Sequence, residues 1–220
     1  MLSACSSPDE ARVKATTQAS YDPATGKLAE ITYDKNKNGK IDTWTKMDGG
    51  RALSSRIDTD EDGQIDRWEE YGADGTLVKA MWERPKPPTA KNPGMTGTPD
   101  ATAYMDAEGN VARIEYTELS EVTAKAGVVR REFYSGTRML RAEEDTDGDG
   151  QMDRFETFNA EGTLTSVEFD EIKPFDGKPD RRLNYDANGV SSIETQPDGK
   201  GGYLKKTIPG KKDSQAPHVD

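Results

Sequence analysis

One histidine, His218, and one cysteine, Cys5, are all that this chain of 220 residues holds of either type. Zinc clusters, Cys–His dyads, Ser–His–Asp triads and internal disulfides are therefore excluded by count. No Gly-x-Gly-x-x-Gly, phosphate loop or Gly-x-Ser-x-Gly elbow occurs, which leaves nucleotide and common hydrolase chemistry without a foothold. No apolar run approaches the roughly 20 residues of a transmembrane helix. Apolar residues make up 32% and aromatics 7% of the chain, too little for a thick two-layer core. Positive charge is also scarce: 30 Lys and Arg against 41 Asp and Glu give a net charge of −11. An acidic surface argues against a nucleic-acid footprint and favours cations as partners. The aromatics and β-branched residues are nevertheless too regularly placed for a disordered chain.

The first residues, Met1-Leu2-Ser3-Ala4-Cys5-Ser6-Ser7, resemble the lipobox of bacterial lipoproteins, in which small residues precede a lipidated Cys. That resemblance implies lipidation at Cys5 and attachment to a membrane. The charged and apolar regions of a secretory signal are missing, as in a chain whose start is recorded late or clipped. The polar, Ser/Thr/Ala-rich stretch to Ser20 has the composition of a flexible tether. Ser6 after the Cys implies the outer membrane, on its periplasmic face or its surface.

Glycines reveal a repeat: Gly26, Gly50, Gly75, Gly109, Gly136, Gly162 and Gly189 are separated by 24, 25, 34, 27, 26 and 27 residues. The best pair reads Trp68-Glu-Glu-Tyr71-Gly-Ala-Asp-Gly75-Thr-Leu77 and Phe155-Glu-Thr-Phe158-Asn-Ala-Glu-Gly162-Thr-Leu164. Asp-Gly or Glu-Gly fits a type I turn closed by a left-handed glycine. Beyond it, Ala29/Ile31/Tyr33, Val78/Ala80/Trp82 and Val167/Phe169 alternate onto one face. The expected fold class is all-β: an antiparallel β-hairpin repeat meander of about seven repeats of ~25 residues, in a single-layer or coiled sheet. The best helical candidate, Leu119 to Lys125, has no clear 3.6-residue stripe. The Trp-x-x-Tyr-x-x-x-Gly-x-Leu rhythm resembles bacterial MORN-type and YD-type β-hairpin repeats, which implies a scaffold, shell or partner-binding protein.

The expected organisation is a lipobox remnant and tether at 1–20 and a β-repeat lobe at 21–83 with two acidic loops. A proline-rich insertion at 84–101 follows, then a lobe at 102–207 with one acidic loop and a disordered tail at 208–220.

Those loops carry the sharpest signal. Asp58-Thr-Asp60-Glu-Asp62-Gly63-Gln64-Ile65-Asp66-Arg-Trp-Glu69 and Asp145-Thr-Asp147-Gly-Asp149-Gly150-Gln151-Met152-Asp153-Arg-Phe-Glu156 resemble the EF-hand calcium loop. In that loop oxygens at positions 1, 3, 5, 7 (a backbone carbonyl), 9 and 12 surround a hard cation, and glycine at 6 makes the turn. The resemblance assigns Asp58, Asp60, Asp62, the Gln64 carbonyl, Asp66 and Glu69 to one Ca2+ set. Asp145, Asp147, Asp149, the Gln151 carbonyl, Asp153 and Glu156 form the other. Asp34, Asn36, Asn38, the Lys40 carbonyl and Asp42 make a third set, but with Thr45 at position 12 and three lysines inside it should bind weakly or not at all. The expected flanks are strands, which puts the position-12 glutamates in doubt. In helix-free relatives of the loop, such as dockerin-like and thrombospondin-like repeats, the position-9 Asp often ligates directly, so Asp66 and Asp153 gain weight. Turn formation alone would need one Asp, whereas clustered carboxylates repel by about 1 kcal/mol per pair even at water-like screening.

The reading is a non-enzymatic, calcium-stabilised envelope lipoprotein, a structural or binding module with an unnamed protein or glycan partner and neither nucleic acid nor nucleotide. A calcium-responsive regulator and a carboxylate-dependent glycoside hydrolase are the alternatives. Trp44, Trp68, Phe155, Trp82, Tyr71 and Phe158 form either a packing ladder or a binding strip.

Overall fold

The computed structural model describes residues 16–85, 96–119, 125–172, 177–195 and 204–207. Cys5, most of the tether, the prolines Pro87, Pro88 and Pro93 and the tail at 208–220 lie outside them, as does most of the Leu119–Lys125 segment. Every regular element among the described residues is a strand. None is a helix long and apolar enough to cross a membrane.

The chain forms two compact units, residues 1–110 and 111–220. The first holds β1 (Thr17–Tyr21), β2 (Leu28–Tyr33), β3 (Thr43–Asp48), β4 (Arg51–Ile57), β5 (Arg67–Tyr71), β6 (Leu77–Trp82) and β7 (Ala101–Met105). The second holds β8 (Val111–Leu119), β9 (Ala126–Ser135), β10 (Arg138–Glu144), β11 (Arg154–Phe158), β12 (Leu164–Phe169), β13 (Arg181–Asp186), β14 (Gly189–Thr195) and β15 (Leu204–Thr207). Within each unit consecutive strands pair antiparallel in chain order, an open hairpin meander. Among the described residues there are fifteen strands where seven hairpins predict about fourteen, because β15 adds an extra return.

At one end the strands are joined by tight turns. Gly75 donates to the Gly72 carbonyl at 3.0 Å and Gly162 to the Asn159 carbonyl at 3.0 Å, with φ of +82° and +79°. The next strand then slips by one residue, as a bulge after a left-handed glycine requires. In the second turn the left-handed residue is Gly49 (φ +61°), not Gly50, whose backbone leads into β4.

The expected alternation holds for Ile31/Tyr33, Ala80/Trp82 and Val167/Phe169, whereas Ala29 and Val78 fall at the register shifts that follow the turns. Ile31, Ser55, Glu69, Ala80 and Ala103 share one cross-strand row, and Tyr33, Ile57, Arg67 and Trp82 share the next row of the same face. On the opposite face Arg56 stands between Trp44 and Trp68. The aromatics are thus split between two faces, with Trp68 and Tyr71 on opposite sides of β5.

Buried apolar side chains are few and small: Ala80, Ala101, Ala103, Ala142 and Val167. Charge ladders stand in for a core. In the second unit Glu115, Arg131, Glu143, Phe155, Glu168, Arg182 and Glu194 lie opposite one another across successive strands. Arg131 bridges Glu115 (3.4 Å) and Glu143 (3.6 Å), and Arg182 bridges Glu168 and Glu194. On the other face Arg130 joins Glu132 (2.9 Å), Glu144 (3.6 Å) and Glu156 (3.1 Å). Opposite charges directly across a strand pair stabilise by a few tenths of a kcal/mol to about 1 kcal/mol each, and their long stems cover the sheet.

The proline-rich segment does not divide the lobes. β7, beyond it, pairs directly with β6, so the segment interrupts a hairpin inside the first unit. Its flanks are tied together by Glu83, which accepts the N–H of Thr96 and Gly97, and by Asp100, which accepts that of Arg84.

Candidate metal centre

Opposite the tight turns, the strands are joined by acidic loops. Among the described residues the buried set holds eight acids: Asp34, Asp42, Asp58, Glu83, Asp100, Asp145, Asp153 and Asp170. Each stands at a strand end. Their backbones are stitched across the sheet: Asp58 N–H donates to the Asp42 carbonyl (2.9 Å), Glu83 N–H to that of Asp66 (3.1 Å) and Asp170 N–H to that of Asp153 (2.8 Å).

One plan builds five of these loops. The acid that ends the incoming strand accepts the N–H of a left-handed glycine: Gly39 to Asp34 (2.8 Å), Gly63 to Asp58 (2.9 Å), Gly97 to Glu83 (2.7 Å), Gly150 to Asp145 (2.9 Å) and Gly177 to Asp170 (2.8 Å). The acid that precedes the outgoing strand accepts the N–H of the residue just after the first acid. Lys35 donates to Asp42 (2.8 Å), Thr59 to Asp66 (3.0 Å), Arg84 to Asp100 (2.9 Å), Thr146 to Asp153 (3.2 Å) and Glu171 to Asp180 (2.9 Å). Buried carboxylates are tolerable because backbone donors satisfy them.

Two of these loops, Glu83–Asp100 and Asp170–Asp180, escape the sequence reading because their acids are 17 and 10 residues apart instead of 8. The available signal is an acid directly after a strand-ending Tyr33, Ile57, Trp82 or Phe169. Glu83 is the most heavily used of the acids: its oxygens accept Thr96 N–H (2.6 Å), Thr96 Oγ1 (2.9 Å), Gly97 N–H (2.7 Å) and Thr98 N–H (3.2 Å).

Two loops add a triad. One oxygen from each of Asp58, Asp60 and Asp62 lies within 4.8 Å of the others, and Asp145, Asp147 and Asp149 repeat the arrangement. Both groups could hold a metal ion. The turn orients them: Asp60 Oδ1 accepts Asp62 N–H (3.2 Å) and Asp62 Oδ1 accepts Gln64 N–H (2.8 Å), leaving the second oxygen of Asp60 to the cluster. Asp147 and Asp149 do the same toward Asp149 N–H (3.2 Å) and Gln151 N–H (2.8 Å). Within the first triad, Asp58 is 6% exposed and its Oδ1 is sealed from solvent with no hydrogen-bond partner.

Other members of the expected sets are placed elsewhere. Asp66 and Asp153 cap Thr59 and Thr146 through N–H and Oγ1. Glu69 lies two residues into β5, where Arg67 Nε donates to Oε1 (2.8 Å) and Tyr71 OH to Oε2 (2.6 Å). Glu156 pairs with Arg130 (3.1 Å) and Arg154 (2.6 Å). Glu132 repeats the pattern with Arg130 (2.9 Å), Tyr134 (2.7 Å) and Tyr116 (3.1 Å). Both position-12 glutamates thus also stand in an Arg-x-Glu-x-aromatic strand motif, which Glu132 shares. Burial raises the Glu132 carboxyl, but Arg130 and the two tyrosine hydroxyls outweigh it and hold the group below its ordinary range. Asp34, Asn36, Asn38 and Asp42 form the first loop, without a third acid in its turn.

No protein-family model matches the chain, and no curated protein matches it. The resemblance to MORN-type and YD-type repeats and to lipoproteins thus rests on the residues quoted for it. Among solved structures, TarM is similar over 51% of this chain at 11% identity and a TM-score of 0.34, and the chain spans 19% of that protein. A porin-like protein from Bacteroides uniformis covers 87% of both chains at 10% identity and a TM-score of 0.25. A TcdB2-TccC3 structure covers 90% of this chain and 13% of its own at 12% identity and a TM-score of 0.22. No family assignment follows from these likenesses.

Proposed function

We propose that this chain is a calcium-stapled β-meander of the bacterial cell envelope, anchored through a lipidated Cys5 and serving as a structural or binding module for a protein or glycan. The observation that carries the metal is Asp58 Oδ1, a buried carboxylate oxygen without a partner in a group of three acids. A bound cation satisfies that oxygen and removes the repulsion within the triad. Calcium suits an all-protein oxygen set in a flexible turn, whereas magnesium keeps its waters and demands octahedral geometry. With few buried apolar side chains, ions at strand ends add stability where a core cannot. The acids outside the loops speak for a non-enzymatic module: Glu143, Glu156 and Glu168, which line one groove, are each paired with arginine. The envelope location rests on the lipobox-like residues alone.

The test is a calorimetric calcium titration of the full chain, paired with thermal melts in calcium and in chelator. Two ions per chain and a clear rise in Tm are expected, since a ligand that binds only the folded state stabilises by mass action. Absence of both heat and shift overturns the metal reading.

A further inference from the structure

The first loop presents amide donors where its two acidic counterparts present oxygens. Asn38 N–H donates to Asn36 Oδ1 (3.0 Å) and Lys40 N–H to Asn38 Oδ1 (2.9 Å), the same turn bonds that orient Asp60, Asp62, Asp147 and Asp149. These bonds fix the amide orientation, so Nδ2 of each asparagine stands where the other loops place a carboxylate oxygen. Both Nδ2 groups donate to one carboxylate: Asn36 to Oε1 and Asn38 to Oε2 of Glu61, from the neighbouring loop. We propose that the loop at 34–42 is a carboxylate-binding cup filled by Glu61, so that a single cation in the loop at 58–66 fastens both loops.

Two independent features converge on it. The loops are of opposite sign: 34–42 holds Lys35, Lys37 and Lys40 against Asp34 and Asp42, 3 − 2 = +1, while 58–66 holds five acids and no base, −5. They are neighbours, joined by the Asp58 N–H bond to the Asp42 carbonyl at 2.9 Å. Glu61 also keeps a left-handed backbone, φ +61°, where the other triad loop has Gly148 at +75°. Lys37 holds the same position of the first loop at +63°, so the left-handed turn is common to the three loops and sets the direction in which the Glu61 side chain leaves it.

Glu61 lies between Asp60 and Asp62. A cation held by those two carboxylates fixes the backbone on both sides of Glu61 and so presets its reach into the cup. By reciprocity the filled cup strengthens cation binding. This rests on the proposed cation at Asp58, Asp60 and Asp62.

The test is hydrogen exchange of the full chain in calcium and in chelator, for the wild type and Glu61→Gln, alongside a count of bound ions. Calcium is expected to slow the amides of residues 38–40 about fivefold or more in the wild type, together with those of 62–64. In Glu61→Gln, residues 62–64 remain protected by calcium and 38–40 lose the response. Asn36→Asp with Asn38→Asp is expected to expel Glu61 and raise the ion count by one. Protection of 62–64 without any change at 38–40 in the wild type overturns the coupling alone. A wild-type ion bound in the first loop, with 38–40 protected whether or not Glu61 is present, overturns the carboxylate cup. No response in either loop and no bound ion overturns the cation reading and the coupling with it.

Discussion

Gly63 donates its backbone N–H to Asp58 Oδ2 across 2.9 Å, and it does so at a φ of +94°. A Cβ on Gly63 would meet nothing within 4 Å, so substitution there is opposed by the backbone alone. Gly63→Ala is expected to lose about 1–2 kcal/mol of stability, in chelator as well as in calcium, because the Asp58 bond exists without the ion. Urea denaturation in both buffers measures it. A loss confined to calcium would mean that the glycine serves the ion and not the loop.

Asp60 and Asp62 are exposed members of the triad, held by turn bonds that an asparagine oxygen can also accept. Asp60→Asn with Asp62→Asn therefore preserves the turn while removing two charges. The variant is expected to be less stable than the wild type in calcium and more stable by about 1 kcal/mol in chelator, since like charges no longer crowd Asp58. This crossing of the two melting curves separates a cation site from a turn. Parallel curves in the two buffers would reduce the acids to turn formers.

The meander was legible because its signals are local: turn glycines at a period near 25 residues, and alternation in Ile31/Tyr33 and Ala80/Trp82. The triads were legible because three acids fall within one turn. Glu83 and Asp170 were not, since their partner acids sit at other spacings and only three-dimensional pairing of β6 with β7 and β12 with β13 brings them into the same plan. Glu69 and Glu156 are ambiguous for the converse reason. An acidic loop and a strand ladder share that spacing, and sequence cannot tell which of them owns a residue common to both.

Glu69 accepts Arg67 and Tyr71 on the face of β5. Glu69→Gln is thus expected to cost about 1–2 kcal/mol of stability through weakened charge-assisted bonds, with calcium affinity changed by less than about twofold. Calorimetry on a folded variant decides it. A loss of tenfold or more in affinity would return Glu69 to the ion.

Tyr134 donates to Glu132 at 2.7 Å, and burial followed by the Glu132 contact pushes its phenol upward. Glu132 is held below its ordinary value, so its stabilisation is present above the unfolded carboxylate pKa of about 4.3 and is lost as pH falls through the lower folded value. Tyr134 has the opposite sign, stabilising below about pH 10 and losing that contribution as pH rises through its raised value. Tyr134→Phe is expected to cost about 1.5 kcal/mol near neutrality, with the gap to wild type narrowing below about pH 4. A gap that is constant down to pH 2 would mean that the tyrosine acts by packing alone.

Glu83 accepts four hydrogen bonds from Thr96, Gly97 and Thr98 while 6% exposed. Its carboxylate ties Thr96, Gly97 and Thr98 back to the end of β6 by supplying acceptors to their donors. Glu83→Gln turns one acceptor into a donor facing donors and removes the charge, so a loss of about 2–4 kcal/mol is expected, the largest of any single acid in the loops. The effect should be equal in calcium and chelator, and hydrogen exchange should accelerate first at residues 96–98 and along β7. If Glu83→Gln instead costs under about 0.5 kcal/mol, the loop closes by its strand pairing and the buried carboxylate is dispensable.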